Sequence, residues 1–315
     1  MKRDHMTQEL IKEYTRVAFY YYKSNLTQDE IAKKMTMSRQ RVNRILKECV
    51  EYGIVQIAID SLDVGNLELE KKLEEKYNLK EVRVVNNVID ENIHLDLGTA
   101  ASKYLETVIS DGDIIGFSRG RSTSALVDCF SKTSKTNLTV TQLLGSEHTD
   151  KHHVGVDDIV FRFSKKMNAT PLMLYAPVIV ENSKLKNSLM QESFFKNTYK
   201  VIQSCSIVVV GIGTEKSQAR HMTGLSNMDW EKVEQWRNGV AGEICSHFFD
   251  SEGREMPHPF RDRIIAITLE DYMKIPLRIG VAGLPYKANA IKAALMGKYI
   301  NVLVTDFETA NILKE

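Results

Sequence analysis

A chain of 315 residues, 43% hydrophobic and 26% charged, has the make-up of a globular protein long enough for two domains. Its formal net charge of +1 excludes a polyanion or polycation. Four scattered cysteines (Cys49, Cys129, Cys205, Cys245) without a CxxC argue against a disulfide framework or zinc ribbon, and no apolar run approaches the about 18–20 residues of a membrane span. The near-neutral total hides an asymmetry. Residues 1–52 hold 11 Lys and Arg against 7 Asp and Glu, and the rest of the chain holds 31 against 34. A basic N-terminal module on a slightly acidic body suits a nucleic-acid reader joined to something else. The opening MKRDHMTQEL lacks the apolar stretch of a signal peptide, so the expected location is the cytoplasm, with reduced and mostly buried thiols.

Residues 8–23 read as a helix with Leu10, Ile11, Tyr14, Val17, Ala18 and Tyr21 on its apolar face. The aromatic run Phe19–Tyr22 is taken as packing within that helix. The stretch LTQDEIAKKMTMSRQRVNRILKECVEYG (26–53) reads as two capped helices with a tight turn between them. Thr27 and Glu30 have capping-box spacing after a stapling Leu26. Ser38 is a second N-cap, Val42, Ile45, Leu46 and Cys49 form one apolar stripe, and Gly53 suits the stop. This is helix-turn-helix patterning, whose second helix enters the major groove of DNA N-terminus first. The candidate DNA-binding residues are Thr27, Gln28, Ser38, Arg39, Gln40, Arg41, Asn43, Arg44 and Lys47. Arg39 and Gln40 are the best candidates for reaching base edges, although any of the set can serve a phosphate instead.

VQIAI (55–59) alternates like a short strand and is a candidate wing. The boundary falls around 61–66, dividing a DNA-binding domain (1–60) from a larger one (61–315). Residues 67–77 read as a charged amphipathic helix and 81–85 as a strand. Apolar strand patterns follow at 113–118, 138–144, 170–176, 206–213, 263–269, 277–283 and 301–306. Helical patterns lie between most of them, at 94–109, 122–132, 156–167, 184–203, 228–238, 287–297 and 307–314. Strands apolar on both faces and separated by helices predict an α/β fold: a doubly wound, mostly parallel sheet behind an all-α N-terminal module. Ligands of such sheets bind beyond the carboxyl ends of the strands.

Those ends carry the second set of candidates. DIIGFS runs into Ser118, Arg119, Gly120, Arg121, Ser122 and Thr123 before a helix. Hydroxyls, two guanidinium groups and free helix N–H groups there suit a phosphate or carboxylate. Gly211 and Gly213 end another strand, Asp250 follows an aromatic pair, and Lys287 opens a helix, where the dipole disfavours a cation unless an anion joins it. Gly211 and Gly213 do not complete a GxGxxG, since Glu215 and Lys216 follow, so a nicotinamide cofactor is not expected. Glu147, His148, His152 and His153 lie close together without zinc-motif spacing and read as a polar loop, and no metal or other cofactor is expected. Glu243 with Asp250 offers a carboxylate pair for acid–base catalysis, against which Glu243 reads as a partner within its strand.

The segments LTQDEIAKKMTMSRQRVNRILKE, GDIIGFSRGRS, VVVGIGT, GVAGEICSHFFDSEG and KANAIKAALMGKYINVLVTDFETANILK together resemble the SorC-type sugar-responsive bacterial transcriptional regulators, over about residues 8–314, with the sorbose-operon branch the best match. The resemblance implies an effector domain related in fold to glucosamine-6-phosphate deaminase and ribose-5-phosphate isomerase. It also implies homotetramers, binding to double-stranded operator DNA, and release or remodelling by a sugar phosphate such as a phosphorylated ketose. Carried over, the phosphate loop falls on Ser118, Gly120, Arg121 and Ser122, a sugar-hydroxyl carboxylate on Asp250 and a ligand-contacting lysine on Lys287. Arg119 stands where Trp is common and Leu284 where Gly is frequent. Leu144 offers no amine for a Schiff base. The alternatives are an isomerase- or deaminase-like enzyme with a basic appendage, or an architectural DNA binder whose large domain only oligomerises.

Overall fold

The computed structural model describes residues 6–56, 64–86, 92–146, 155–214 and 230–315. They form two compact units, Met1–Val64 and Gly65–Glu315. The candidate wing reaches into residues 57–59, and the Glu147–His153 cluster falls wholly in 147–154. Both lie outside the described residues.

The first unit is three helices, α1 (Gln8–Tyr22), α2 (Gln28–Met35) and α3 (Arg39–Glu51). Each begins on a hydroxyl cap. Thr7 accepts from the N–H of Leu10, and Ser38 accepts from that of Arg41. Thr27 and Glu30 complete a capping box, with Glu30 Oε2 accepting from the Thr27 N–H at 2.8 Å. The turn from α2 to α3 is Thr36, Met37 and Ser38, and Thr36 stands in the left-handed region (φ +52) to let the chain reverse. The three helices share a core of Tyr14, Val17, Ala18, Ile31, Ala32, Val42, Ile45, Leu46 and Cys49. Tyr14 donates to the Glu48 carboxylate, and burial followed by that carboxylate pushes its phenol up to about 12. The aromatic run packs ring on ring along α1, Phe19 edge-on to Tyr20 and Tyr21 edge-on to Tyr22. Of the four only Tyr20 packs against the core, with Lys34 over its ring, and Tyr21 lies off the buried face expected for it.

The second unit is an α/β sheet domain. In chain order its elements are α4 (Val64–Tyr77), β1 (Glu81–Val85), α5 (Ile93–Val108), β2 (Ile114–Phe117), α6 (Arg121–Cys129), β3 (Thr139–Gln142), α7 (Val156–Met167), β4 (Thr170–Leu172), α8 (Ser183–Gln191), α9 (Ser193–Gln203), β5 (Ile207–Val210), α10 (Trp230–Arg237), β6 (Gly242–Ile244), β7 (His247–Phe249), α11 (Leu269–Lys274), β8 (Leu277–Val281), α12 (Ala288–Met296), β9 (Val302–Asp306) and α13 (Phe307–Lys314). Seven strands make one sheet in the order β1-β9-β8-β5-β2-β3-β4, every pair parallel. From β2 the chain steps outward to β3 and β4, then returns to β5 on the other side of β2 and steps out through β8 to β9. With right-handed crossovers, that reversal puts helices on opposite faces and parts the loops above β2 and β5. The middle strands are buried throughout, as in IVVV of β5.

Two expectations need correction, and one hairpin is found where no element is expected. Residues 263–269 alternate like a strand but stay out of the parallel sheet. Ile264 and Ala266 form isolated antiparallel bridges to Ile179 and Leu144, and Thr268 caps α11. The stretch 184–203 is two helices broken at Glu192, whose ψ of 139° leaves the helical region. Residues 242–249 form an antiparallel hairpin, β6–β7, turned through Cys245 (φ +51) and Ser246 (φ +65).

The outer edge of β1 is closed by side chains of α4. Glu74 Oε1 accepts from the Val82 N–H at 2.8 Å and Glu70 Oε1 from the Val84 N–H at 2.7 Å, while the Asn66 amide donates to the Val84 carbonyl at 3.2 Å. Burial raises the pKa of Glu70, with the Val84 N–H opposing it. Replacing Glu70 by Ala strands a backbone donor and should cost about 1–3 kcal/mol, read as a lower denaturant midpoint at unchanged slope. Glu70→Gln keeps an accepting oxygen and should lose much less.

Candidate functional site

In the first unit, α3 buries Val42, Ile45, Leu46 and Cys49 and turns Arg39, Gln40, Asn43, Arg44 and Lys47 to solvent. These five recur at helical spacing as one exposed face. Two arginines are partly engaged: Arg39 lies 3.7 Å from Asp29 and Arg44 4.0 Å from Glu48. Arg41 leans back onto α1, where its guanidinium donates to both oxygens of Glu13 at 2.8 and 3.1 Å. It therefore stands apart from the exposed face. Thr27 and Ser38 spend their hydroxyls on capping, and Gln28 opens α2.

In the second unit, the candidates gather where β2 and β5 part. Ser118 lies at the end of β2. Its buried hydroxyl donates to the Arg119 carbonyl at 3.1 Å and accepts from the Gly211 N–H at 3.0 Å, tying the two strand-end loops together. Thr123, fully buried, donates to the Gly120 carbonyl at 2.7 Å. Both hydroxyls thus shape the loop. Gly120 precedes α6, whose first turn holds Arg121 and Ser122 with the helix N–H groups. Arg121 is exposed.

Two further strand ends close in. Gly213 exchanges both backbone hydrogen bonds with Glu243 at 3.0 Å, which lays the β6–β7 hairpin beside the loop after β5. Glu243, 7% exposed, reaches the Arg119 guanidinium at 3.5 Å and accepts from the Ser246 N–H at 3.1 Å. Lys287 begins α12 and donates to the Ile212 carbonyl at 3.1 Å. Burial, then Arg121, lowers its pKa, and Glu243 partly offsets them. The backbone before it is strained: Leu284 has φ +81, and its N–H is held by the Asp306 carboxylate at 2.7 Å. Asp306 also caps α13 through Thr309.

Asp250 is not part of this group. Its carboxylate accepts from the Glu252 and Arg254 N–H groups and pairs with the Arg254 guanidinium at 2.9 Å; the Arg254 N–H, above all, lowers its pKa. Its turn includes Gly253, which lies against Ala293 and Gly297 at the C-terminal end of α12, whereas Lys287 is at the other end. The carboxylate beside the cations is Glu243.

His94 joins the site without having been singled out from the sequence. It sits in the first turn of α5, with Nδ1 3.0 Å from Ser122 Oγ. Burial, then the charges of Arg121 and Lys287, lowers its pKa to about 4. The pairing depends on the close passage of α5 over α6: a methyl on Gly98 would come within 2.6 Å of the Ala125 backbone.

Comparison with known proteins gives one consistent picture. A family model of a sugar-binding domain matches residues 63–314. The sorbitol operon regulator of Klebsiella pneumoniae is 29% identical over 307 residues, covering 96% of this chain and 98% of that protein. The deoxyribonucleoside regulator of Bacillus subtilis is 29% identical over 317 residues, covering 98% of each. The crystal structure of the full-length Klebsiella regulator superposes with a TM-score of 0.74 at 28% identity, covering 97% of this chain and 99% of that one.

Because folding holds His94 neutral, the unfolded chain binds its proton at higher pH than the folded chain does. Stability contributed by the neutral ring is present above the unfolded value of 6.5 and is lost as pH falls toward about 4. Denaturant midpoints of the protein should therefore fall more steeply between those two pH values than those of His94→Asn.

Proposed function

Since the chain belongs to the sugar-binding domain family and is like SorC-type transcriptional regulators along nearly its whole length, we propose that it controls a carbohydrate-utilisation operon by binding operator DNA through its first unit and a phosphorylated sugar through its second. The observation that carries the effector reading is the convergence of Arg119, Arg121 and Lys287 on the N-terminal turn of α6 at the β2/β5 parting, with Glu243 the facing carboxylate among the described residues. Burial, then the neighbouring Arg121 charge, lowers the proton affinity of Lys287 in this crevice, and an anion placed between the two cations offsets that cost. A sugar phosphate supplies the anion, and the polar loop ends supply partners for its hydroxyls. The named relatives are a sorbitol operon regulator and a deoxyribonucleoside regulator, which fits an effector of the carbohydrate class.

For DNA, the capped α2–turn–α3 unit acts as a helix-turn-helix. Arg39, Gln40, Asn43, Arg44 and Lys47 face the groove, while Thr27, Gln28 and Ser38 lie at the helix starts, where backbone N–H groups meet phosphates. Arg41 orients α3 through Glu13. The protein works in the cytoplasm as a homo-oligomer, a tetramer by analogy, so that paired helices read a symmetric operator. Among the described residues no helix is long and apolar enough to cross a membrane. It acts as a switch and not as an enzyme: the relatives are regulators, and Glu243 is engaged by Arg119 and Ser246 instead of pairing with Asp250.

Melting the full chain with a panel of sugars and sugar phosphates tests the effector reading. A ligand at about 100 times its Kd adds about 2.7 kcal/mol and raises the midpoint. The hit should then change operator affinity by about 5–150-fold and be recovered unchanged after long incubation. A stabilising ligand that leaves operator affinity untouched, or that is turned over, refutes control by that ligand. On the DNA side, replacing Arg44 and Lys47 together by Ala should weaken binding to every sequence. It should also lower the salt slope by about one for each phosphate that is no longer neutralised. An unchanged slope removes both from the interface.

A further inference from the structure

We propose that His94 is a positioning residue that decides whether Ser122 can give its hydroxyl hydrogen to a bound anion, and that it thereby couples anion binding to uptake of a proton. This coupling rests on the anion site proposed above and concerns how that site is set.

A single hydrogen is at stake. Ser122 lies in the first turn of α6, where an anion on the helix N-terminus meets its side chain, and its oxygen is 3.0 Å from His94 Nδ1. A serine hydroxyl has one hydrogen. When Nδ1 is bare, that hydrogen goes to the ring and Ser122 turns only lone pairs toward an anion. When Nδ1 carries a hydrogen, the ring donates to Ser122, and the hydroxyl hydrogen is free for the anion. Protonation of the ring guarantees the second arrangement, because both nitrogens are then donors.

The surroundings decide which arrangement holds. In the absence of an anion the ring faces Arg121 from α6 and Lys287 from the start of α12, and burial together with these charges keeps it neutral. Beyond Lys287 stands Glu243 of β6, shared with Arg119. On the ring's own helix, Asp96 follows two residues later. A dianion held between Arg121 and Lys287 reverses the local field. It then favours an imidazolium, which donates through Nδ1 to Ser122 and adds a further positive charge to the site. The position is maintained by Gly98, one turn further along α5, where any side chain would press on the backbone of Ala125 and lift α5 off α6.

The test uses sulfate as the probe, because it keeps both charges across the working range whereas a sugar phosphate titrates there itself. Sulfate is titrated calorimetrically into the full chain from about pH 8 to about pH 5.5, in buffers of different ionisation enthalpy. The expected result is tighter binding at low pH, by up to about tenfold per unit, with net proton uptake. His94→Asn places an amide N–H near the Nδ1 position without a titration, so it should bind sulfate with a flat pH profile. His94→Ala leaves the Ser122 hydroxyl hydrogen with no ring to take it, so it should bind sulfate with a flat pH profile, no more weakly than the unaltered chain does at about pH 8. Arg121→Ala should abolish binding and so locate the sulfate. Binding to the unaltered chain that is pH-independent and without proton uptake overturns the proposal and leaves the anion site standing. A His94→Asn variant that keeps the original pH slope does the same. Binding that survives Arg121→Ala is an adventitious ion only and also overturns it. If neither sulfate nor any sugar phosphate binds at all, the anion site itself fails and the proposal falls with it.

Discussion

The second unit depends on one topological constraint: from the parallel neighbours β2 and β5 the chain winds to opposite sides of the sheet. From β2 the chain winds outward to β4, and from β5 it winds outward to β9. No crossover can roof the gap between them, so their carboxyl ends open into a crevice. What happens there follows from local chemistry. Ser118 laces the two loops together through the Gly211 N–H. The α6 N-terminus brings the N–H groups of its first turn, and the hairpin fixed on Gly213 brings a carboxylate. The cations of Arg119, Arg121 and Lys287 come from three separate positions at the loop ends, and each alone would read as an ordinary surface charge.

The sheet was largely legible in the sequence because its strands are buried on both faces. An unbroken IVVV or VLV between helical patterns has few other uses. The caps of α2 and α3 were legible because capping is a local interaction between residues three apart. What escaped is non-local or chemically unmarked. The β6–β7 turn runs through Cys245 and Ser246 at positive φ, without the Asn or Gly that announces such a turn. The break at Glu192 has no Pro or Gly, and residues 263–269 have a strand's alternation but no neighbour in the parallel sheet. Among the site residues, the loop Ser118–Thr123 was visible as a cluster. Glu243 and Asp250 were both visible as carboxylates, but only the hairpin decides which of them meets Arg119. His94 had no signal at all, because its role comes from the packing of α5 on α6.

The two units illustrate different uses of charge. On α3 the exposed cations sit opposite a dry apolar stripe and remain in water, where they attract a polyanion at long range and cost the fold little. In the crevice, burial and then the nearby charges lower the proton affinity of Lys287 and His94, so positive charge is held there at an electrostatic cost that the proposed anion would offset. A switch can use such a cost, because a ligand moves an equilibrium only by its differential affinity for the two states.

The closure of β1 by α4 has a consequence for how copies of the chain can meet. Asn66, Glu70 and Glu74, spaced four apart on one helix, supply to the outer edge of β1 the donor and acceptors that an eighth strand would have supplied. Because a helix cannot be extended sideways as a sheet can, growth by strand addition ends there. Any subunit that approaches this side meets a wall of side chains instead of a row of open backbone groups. Its recognition is then a matter of side-chain shape and charge, which mutation can tune, and not of backbone pairing, which any extended peptide could imitate.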